Sequence, residues 1–414
     1  MAVAEELARW AVSLEPTDAD LGLARRSLLD TVAVAVAARD ETILTTSAGL
    51  PEVARWAVAS HVLDFDDLHM ESTTHISAVC VPAVLATLGD ARAYLAGAGV
   101  MARLGTALGW AHYTSGWHAT TTAGAPAAAV GAGIALGLDV ERIATAMALA
   151  VPAAGGVQRA FGTDAKSLQV GFAAEAGVRA AHLAAAGATA DPSAVDNWLR
   201  LVGGAPAAVD KCGPAVPGGL AVKVFPCCYA LQRPISALSH LASQGLDPAA
   251  VTRIVIRTPR GTVTPLIHRR PNTGLQAKFS IEYAAAAALL DDYQGFASFT
   301  DAAVQRPEAR RLMELVDVHL GEGHEGLLAG QLEADVYVGT QILHTRERFP
   351  PGSPQRPPSR AELMRKVDDC LTGTTLDPAT VSWTTAGAIL REHLTTRTGV
   401  GADDRSEGSL PWRD

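Results

Sequence analysis

Residues 168–186 read LQVGFAAEAGVRAAHLAAA, and this stretch decides the fold. It is an apolar pattern of helical length, and from 173 to 188 it is built largely from Ala and Gly. Small side chains let helices approach closely, so the pattern describes a helix packed among helices. Similar patterns recur at 18–38, 82–88, 91–108, 126–138, 140–150 and 193–201, with Gly, Pro or Asp at the breaks, as helix-to-helix connections require. Asp18 or Asp20 is placed to cap the first. No convincing strand precedes about residue 222.

The character changes at 251–259, VTRIVIRTP, where Val and Ile alternate with Thr and Arg. Period-two alternation is the mark of a half-buried strand. Helical patterns at 277–290 and 307–315 and strand-like runs at 315–320 and 333–342 then describe an α+β module. The Pro-rich run 349–359, FPPGSPQRPPS, reads as an exposed connection. Helices are predicted at 360–371 and 378–394, and a frayed polar tail from 395 to 414.

With 414 residues, 48% apolar and 19% charged, the chain can bury sizeable cores, and two domains are expected. A formal charge of −9 with no basic run excludes a nucleic-acid surface, yet a few focused cations can still bind an anion. The five cysteines, Cys80, Cys212, Cys227, Cys228 and Cys370, form no CxxC pair. They indicate neither a disulfide framework nor a zinc ribbon, and they fit a reducing, cytoplasmic setting. The first residues lack a basic region followed by an apolar one, and the apolar runs break before membrane-spanning length, so neither export nor a membrane span is expected. The glycine-rich run 203–219 lacks the GK[ST] ending of a phosphate loop and reads as a plain loop.

Three constellations carry candidate chemistry. The first is His61-Val-Leu-Asp64-Phe-Asp66-Asp67-Leu-His69, followed by Glu71, Thr73, Thr74 and His75. Carboxylates and imidazoles at this density suit an acid/base site, whereas the spacing does not match a zinc helix; the plainer alternative is that Asp64 and Asp66 cap the next helix and His61 is a core residue. The second is Gly116-Trp117-His118-Ala-Thr120-Thr121-Thr122, ahead of a helix. Hydroxyls and free N–H groups at a helix start suit a carboxylate, with His118 able to move a proton; alternatively the threonines only cap. The third is the pair Lys166 and Lys223, each in apolar surroundings where an unpaired ammonium is costly. Each therefore needs a protein or substrate carboxylate. Cys227 is read as packing, and among Lys278, Ser280 and Tyr283, Tyr283 is the best candidate to face a cleft.

HVLDFDDLH with TTHISAVCVPA, GWHATTTAGAPAAA, AKSLQVGFAAEAGVRAA, KVFPCCYALQRP and TGLQAKFSIEYAAAAALLDD, in this order, resemble the MmgE/PrpD family, which includes 2-methylcitrate dehydratase, cis-aconitate decarboxylase and an iminodisuccinate epimerase. The resemblance implies a mainly α protein: a large all-helical domain from both ends of the chain, 1–222 plus 360–414, and a smaller α+β lid domain, 223–359. It also implies a homodimer with its active site between the domains, acting on a small carboxylate without metal or organic cofactor. Carried over by motif, Asp64, His75, His118, Lys166 and Tyr283 are the catalytic candidates, with Lys223, Thr74, Thr120 and Cys228 as substrate-binding candidates. Leu68 and Cys228 depart from the decarboxylase pattern, which has Thr and His there, and the run to His75 is one residue longer. His75 oriented by Asp64 is the expected proton-transfer pair. The expected reaction is a lyase reaction on a small di- or tricarboxylic acid, dehydration before decarboxylation; epimerisation and a non-catalytic family member are the alternatives.

Overall fold

A computed structural model describes residues 1–210, 213–321 and 330–395; the residues predicted to form most of the frayed tail, 396–414, and Cys212 lie outside them. The long helices are Asp18–Ala37, Glu52–Val62, Ser77–Ala86, Ala91–Thr114, Ala119–Ala135, Val140–Ala150 and Ala165–Ala185. Their common device is the missing side chain. A Cβ on Gly177 would meet Ala128 Cβ at 2.4 Å and Ala125 O at 2.6 Å, and Gly124 would approach Ala173. The contacts 124 to 173 and 128 to 177 advance together, so helices 119–135 and 165–185 run parallel, nearly backbone to backbone.

Several starts differ from the sequence expectation: the helix expected from 378 begins at Ala386 and the one expected from 277 at Ile281, and two others begin before a proline. Pro82 and Pro126 lie inside helices that begin at Ser77 and Ala119, not at the proline. Proline prefers the first turn because it lacks an N–H and its ring clashes with the preceding turn, but both residues are buried, and packing of their Ala-rich turns outweighs that preference. The helix Ala91–Thr114 also runs six residues past its predicted end, kinked at Gly109, which has φ 70° and ψ −179°.

Four strands form one sheet in the order β2-β1-β3-β4: β1 Val251–Pro259, β2 Val316–Gly321, β3 Leu332–Val338 and β4 Gln341–Glu347. β1 pairs parallel with β2 and antiparallel with β3, and β3 and β4 form a hairpin around Gly339. Buried side chains gather in two apolar clusters. One draws on residues from Val3 to Val216 and from Val367 to Leu394. The other draws on Leu68 and on residues from Ala221 to Val336, with the sheet and the helices Gln232–Ser243 and Ile281–Leu290. Among the described residues no helix is long and apolar enough to cross a membrane.

The run 349–359 is only partly the exposed connection expected. Pro350 to Ser353 are buried, because Gly352 accepts the Val222 N–H at 2.8 Å. Gly352 has φ 86°, and a Cβ there would strike the Val222 carbonyl, so the close approach requires glycine.

Candidate active site

Helix 52–62 ends at His61 and Val62, and the chain then turns through Asp64, which takes the left-handed φ of 57°. Such a conformation is uncommon outside glycine and costs on the order of 1–3 kcal/mol, so the surroundings must impose it. Thr73, with φ 56°, is the second such residue here. Both line one small cavity, with His75, His118, Lys166 and Lys223.

Asp64 is the junction. Its Oδ1 receives Lys166 Nζ at 2.8 Å and Lys223 Nζ at 3.2 Å, while Lys223 Nζ also donates to the Asp64 carbonyl at 2.8 Å. Burial pushes the Asp64 carboxyl up, but the two ammoniums outweigh it and hold the group far below the usual carboxylate range. Asp64 is thus ionised, and its Oδ2 is buried with no partner. Lys223 keeps its charge: burial opposes it, but Asp64 and Asp66 raise its pKa.

Behind this bridge is an imidazole–carboxylate cluster. His61 Nδ1 lies 2.7 Å from Asp66 Oδ2. His75 Nδ1 lies 3.0 Å from the same oxygen, though out of line for a hydrogen bond. The pairing expected for His75 is therefore corrected: its neighbour is Asp66, and Asp64 is committed to the lysines. Burial lowers the His61 pKa to about 4, so neutral His61 donates its Nδ1 proton to an ionised Asp66, which is held well below its usual range against the effect of burial by its contacts with the two histidines. These three residues bring ligand-type atoms within 4.8 Å, but they already contact one another directly, and Lys223 Nζ stands 4.0 Å from Asp66 Oδ1. An ammonium there disfavours a metal cation, and carboxylate and imidazoles so placed are chemically suited to acid/base work.

His118 is the N-cap residue of helix 119–135. It lies 5.9 Å, centroid to centroid, from His61, and its Nδ1 is buried without a partner; burial first, then neighbouring cations, pushes its pKa well down, so it is neutral. Lys166 occupies the first turn of helix 165–185. Because these helices are parallel, two positive helix ends and two ammoniums lie around one cavity, the arrangement an anion prefers. Phe161 closes one side, edge-on to His118 at 5.0 Å, and Leu68, Tyr113, Tyr229 and Phe279 complete an otherwise apolar wall.

The structure brings Asp64, His75, His118, Lys166, Lys223 and Cys228 to the cavity, and leaves three candidates behind it. Thr120 accepts the His75 backbone N–H at 3.1 Å, and Thr74 bonds Ser72 at 2.6 Å. Tyr283 is fully buried in the second apolar cluster, with its hydroxyl donated to the Ser298 carbonyl. Thr121 and Thr122 return their hydroxyls to the His118 carbonyl, and Asp67, not Asp64 or Asp66, receives the first N–H of the next helix, from Ser77 at 3.1 Å. Sequence reasoning missed Tyr113 and Phe161; nothing in their local pattern marks them, since only the tertiary fold brings them to the wall. Cys228 is a neutral thiol, its pKa pushed up to about 11 by burial and by Asp64. Cys80, Cys227, Cys228 and Cys370 are free and buried.

A helical body, a small sheet module and one cavity lined by an aspartate, two lysines and two histidines are the arrangement of an enzyme family. The chain belongs to the MmgE/PrpD family: residues 50–198 match the family's N-terminal domain and residues 225–381 its C-terminal domain. Cis-aconitate decarboxylase from Aspergillus terreus is 25% identical over 331 residues, covering 69% of this chain and 67% of that enzyme. The Homo sapiens cis-aconitate decarboxylase is 29% identical over 296 residues, covering 63% of this chain and 59% of the relative. The Mus musculus enzyme is 28% identical over 298 residues, with 63% and 58% covered. The chain thus spans about three fifths of the length of the two mammalian relatives.

Proposed function

We propose that this protein is a lyase acting on a small di- or tricarboxylic acid by proton transfer beside a carboxylate, with no metal or organic cofactor. The observation that carries the reading is the Lys166–Asp64–Lys223 bridge beside His75. Both ammoniums already share Asp64 Oδ1, so an incoming carboxylate gains two cations held in place before it arrives. Negative charge that develops next to that carboxylate as a C–H or C–C bond breaks is stabilised by the same cations. His75, backed by Asp66, supplies or removes the proton; its Nε2 makes no protein hydrogen bond among the described residues. The relatives' names move decarboxylation ahead of dehydration, while Leu68 and Cys228 in the cavity wall favour an acid different from theirs. The two apolar clusters support reading 1–222 plus 360–414 as body and 223–359 as lid, and a homodimer belongs to the same proposal.

Two imidazoles, His75 and His118, line the cavity, and this favours epimerisation as the second reading, since two bases serve two faces of one carbon. The test is proton NMR in deuterated water with cis-aconitate, 2-methylcitrate, citramalate and aspartate-like acids. Net loss of one acid with release of carbon dioxide or water supports a lyase, and exchange without net loss supports an epimerase. Inertness towards the whole panel, or a His75→Ala variant as active as the parent, removes the proposal.

A further inference from the structure

Three lysines distant in the sequence hold three consecutive carbonyls. Lys278 Nζ donates to Leu63 O at 2.8 Å, Lys223 Nζ to Asp64 O at 2.8 Å, and Lys366 Nζ to Phe65 O at 2.7 Å. The carbonyls that follow the last turn of helix 52–62 have no helical partner, and the left-handed turn at Asp64 points them in different directions. Only Lys223 of the three lines the cavity. Lys366 is fully buried, pairs with buried Asp30 at 2.5 Å and stands 4.1 Å over the Phe65 ring. Lys278 is also buried, and among the described residues it forms no ion pair.

A neutral donor could bond a carbonyl, so a buried ammonium used only for that purpose is an expensive choice. Cations do, however, fit the negative end of a helix, and 63–65 follows that end directly. The turn so held carries Asp64, and Asp66 is the next residue along; a shift of the turn by a fraction of an ångström would displace both the two-lysine bridge and the neighbour of His75.

We propose that Lys278 and Lys366 are positioning residues which, from outside the cavity, lock the 63–65 turn and so set the placement of Asp64 and Asp66. The proposal rests on the active-site reading above for its catalytic consequence, but not for its structural one. The test uses the full chain with Lys278→Met, Lys278→Gln and, to avoid stranding a buried carboxylate, the double variant Asp30→Asn/Lys366→Met. Amide hydrogen exchange is measured across 61–70, and kcat and KM are measured separately with the acid of the deuterated-water panel that the parent protein turns over, with Asp64→Asn as reference. Exchange in 63–68 should rise at least tenfold in Lys278→Met and in the double variant while 119–150 is unchanged; kcat should fall more than KM rises, and Lys278→Gln should recover part of both. Unchanged exchange in folded Lys278→Met overturns the proposal. If that variant does not fold, the double variant decides by the same criterion. If Asp64→Asn turns over like the parent, the active-site reading falls instead, and the exchange result still judges the lock.

Discussion

Asp66 and His75 face each other at 3.0 Å, Oδ2 to Nδ1, with Asp66 fully buried and His75 partly open to the cavity. The same oxygen holds His61 at 2.7 Å. Under the proposed chemistry, a carboxylate fixed from behind by one imidazole and facing a second would support proton transfer, and the geometry separates the two aspartates: Asp64 contacts the lysines, and Asp66 contacts the imidazoles.

Asp66→Asn should therefore lower kcat by about 10²–10⁴-fold, the range ascribed to general acid–base catalysis, while KM changes little because the lysine bridge remains. Steady-state kinetics on the acid identified by the NMR panel checks this. Equal losses in kcat and in binding would mean that Asp66 also grips the substrate.

Lys166 and Lys223 share Asp64 but differ in burial: the Lys166 side chain is 13% exposed and that of Lys223 is 1% exposed. Lys223→Met leaves the Asp64 carbonyl without its donor and takes the fully buried ammonium away from Asp66 as well as from Asp64, which keeps only Lys166, and breaking a buried pair costs about 3–5 kcal/mol. Lys166→Met leaves Asp64 still paired with Lys223, so its loss of stability should be at most about 1–2 kcal/mol, appearing instead as a KM raised at least tenfold. Denaturant titration with kinetics separates the two outcomes.

Asp67 gives a pH dependence. Its carboxyl, buried against Ser77 and close to Asp30 and Asp66, has its pKa raised to about 7 by burial. A carboxyl raised in the folded state binds a proton that the unfolded chain has already released, so its contribution falls as pH rises from about 4 to about 7, by up to about 1.4 kcal/mol per unit. Asp67→Asn abolishes that titration. Its melting temperature relative to the parent should rise between pH 5 and pH 8; a difference that stays constant with pH contradicts the assignment.

Tyr283→Phe discriminates between the motif and the geometry. The hydroxyl donates to the Ser298 carbonyl and interacts with Arg306, both away from the cavity, so its removal should cost about 1 kcal/mol of stability and leave kcat within about threefold. A loss of two orders of magnitude would return Tyr283 to the catalytic group.

Much of this was legible in the chain. The helices at 18–37, 140–150 and 165–185 and the strand at 251–259 lie close to where pattern and breaks put them, because their apolar spacing agrees with their packing. The helices Val3–Val12, Glu52–Val62 and Gln232–Ser243 escaped notice. Glu52–Val62 is buried along nearly its whole length, so it lacks a polar face to reveal its period, and Gln232–Ser243 begins beside a proline. Within the site, Lys166 and Lys223 stood out as charge in apolar stretches, and His118 as an imidazole beside a run of threonines at a helix start. The division of labour between Asp64 and Asp66 did not, since two carboxylates two positions apart differ only through a left-handed turn that sequence spacing cannot display. Lys366 was invisible for a similar reason: its partners are 301 positions away at Phe65 and in the helix 18–37 at Asp30.

Gly177 and Gly124 have a consequence for how the protein can change over time. His118 and Lys166 stand at the heads of two rods whose separation is fixed by glycine against alanine and main chain, with no long side chain to trim. The gap between these two groups is therefore a constant of the scaffold, and variation in substrate size has to be accommodated on the opposite wall, where Leu68, Cys228 and Phe279 can be exchanged without moving either rod.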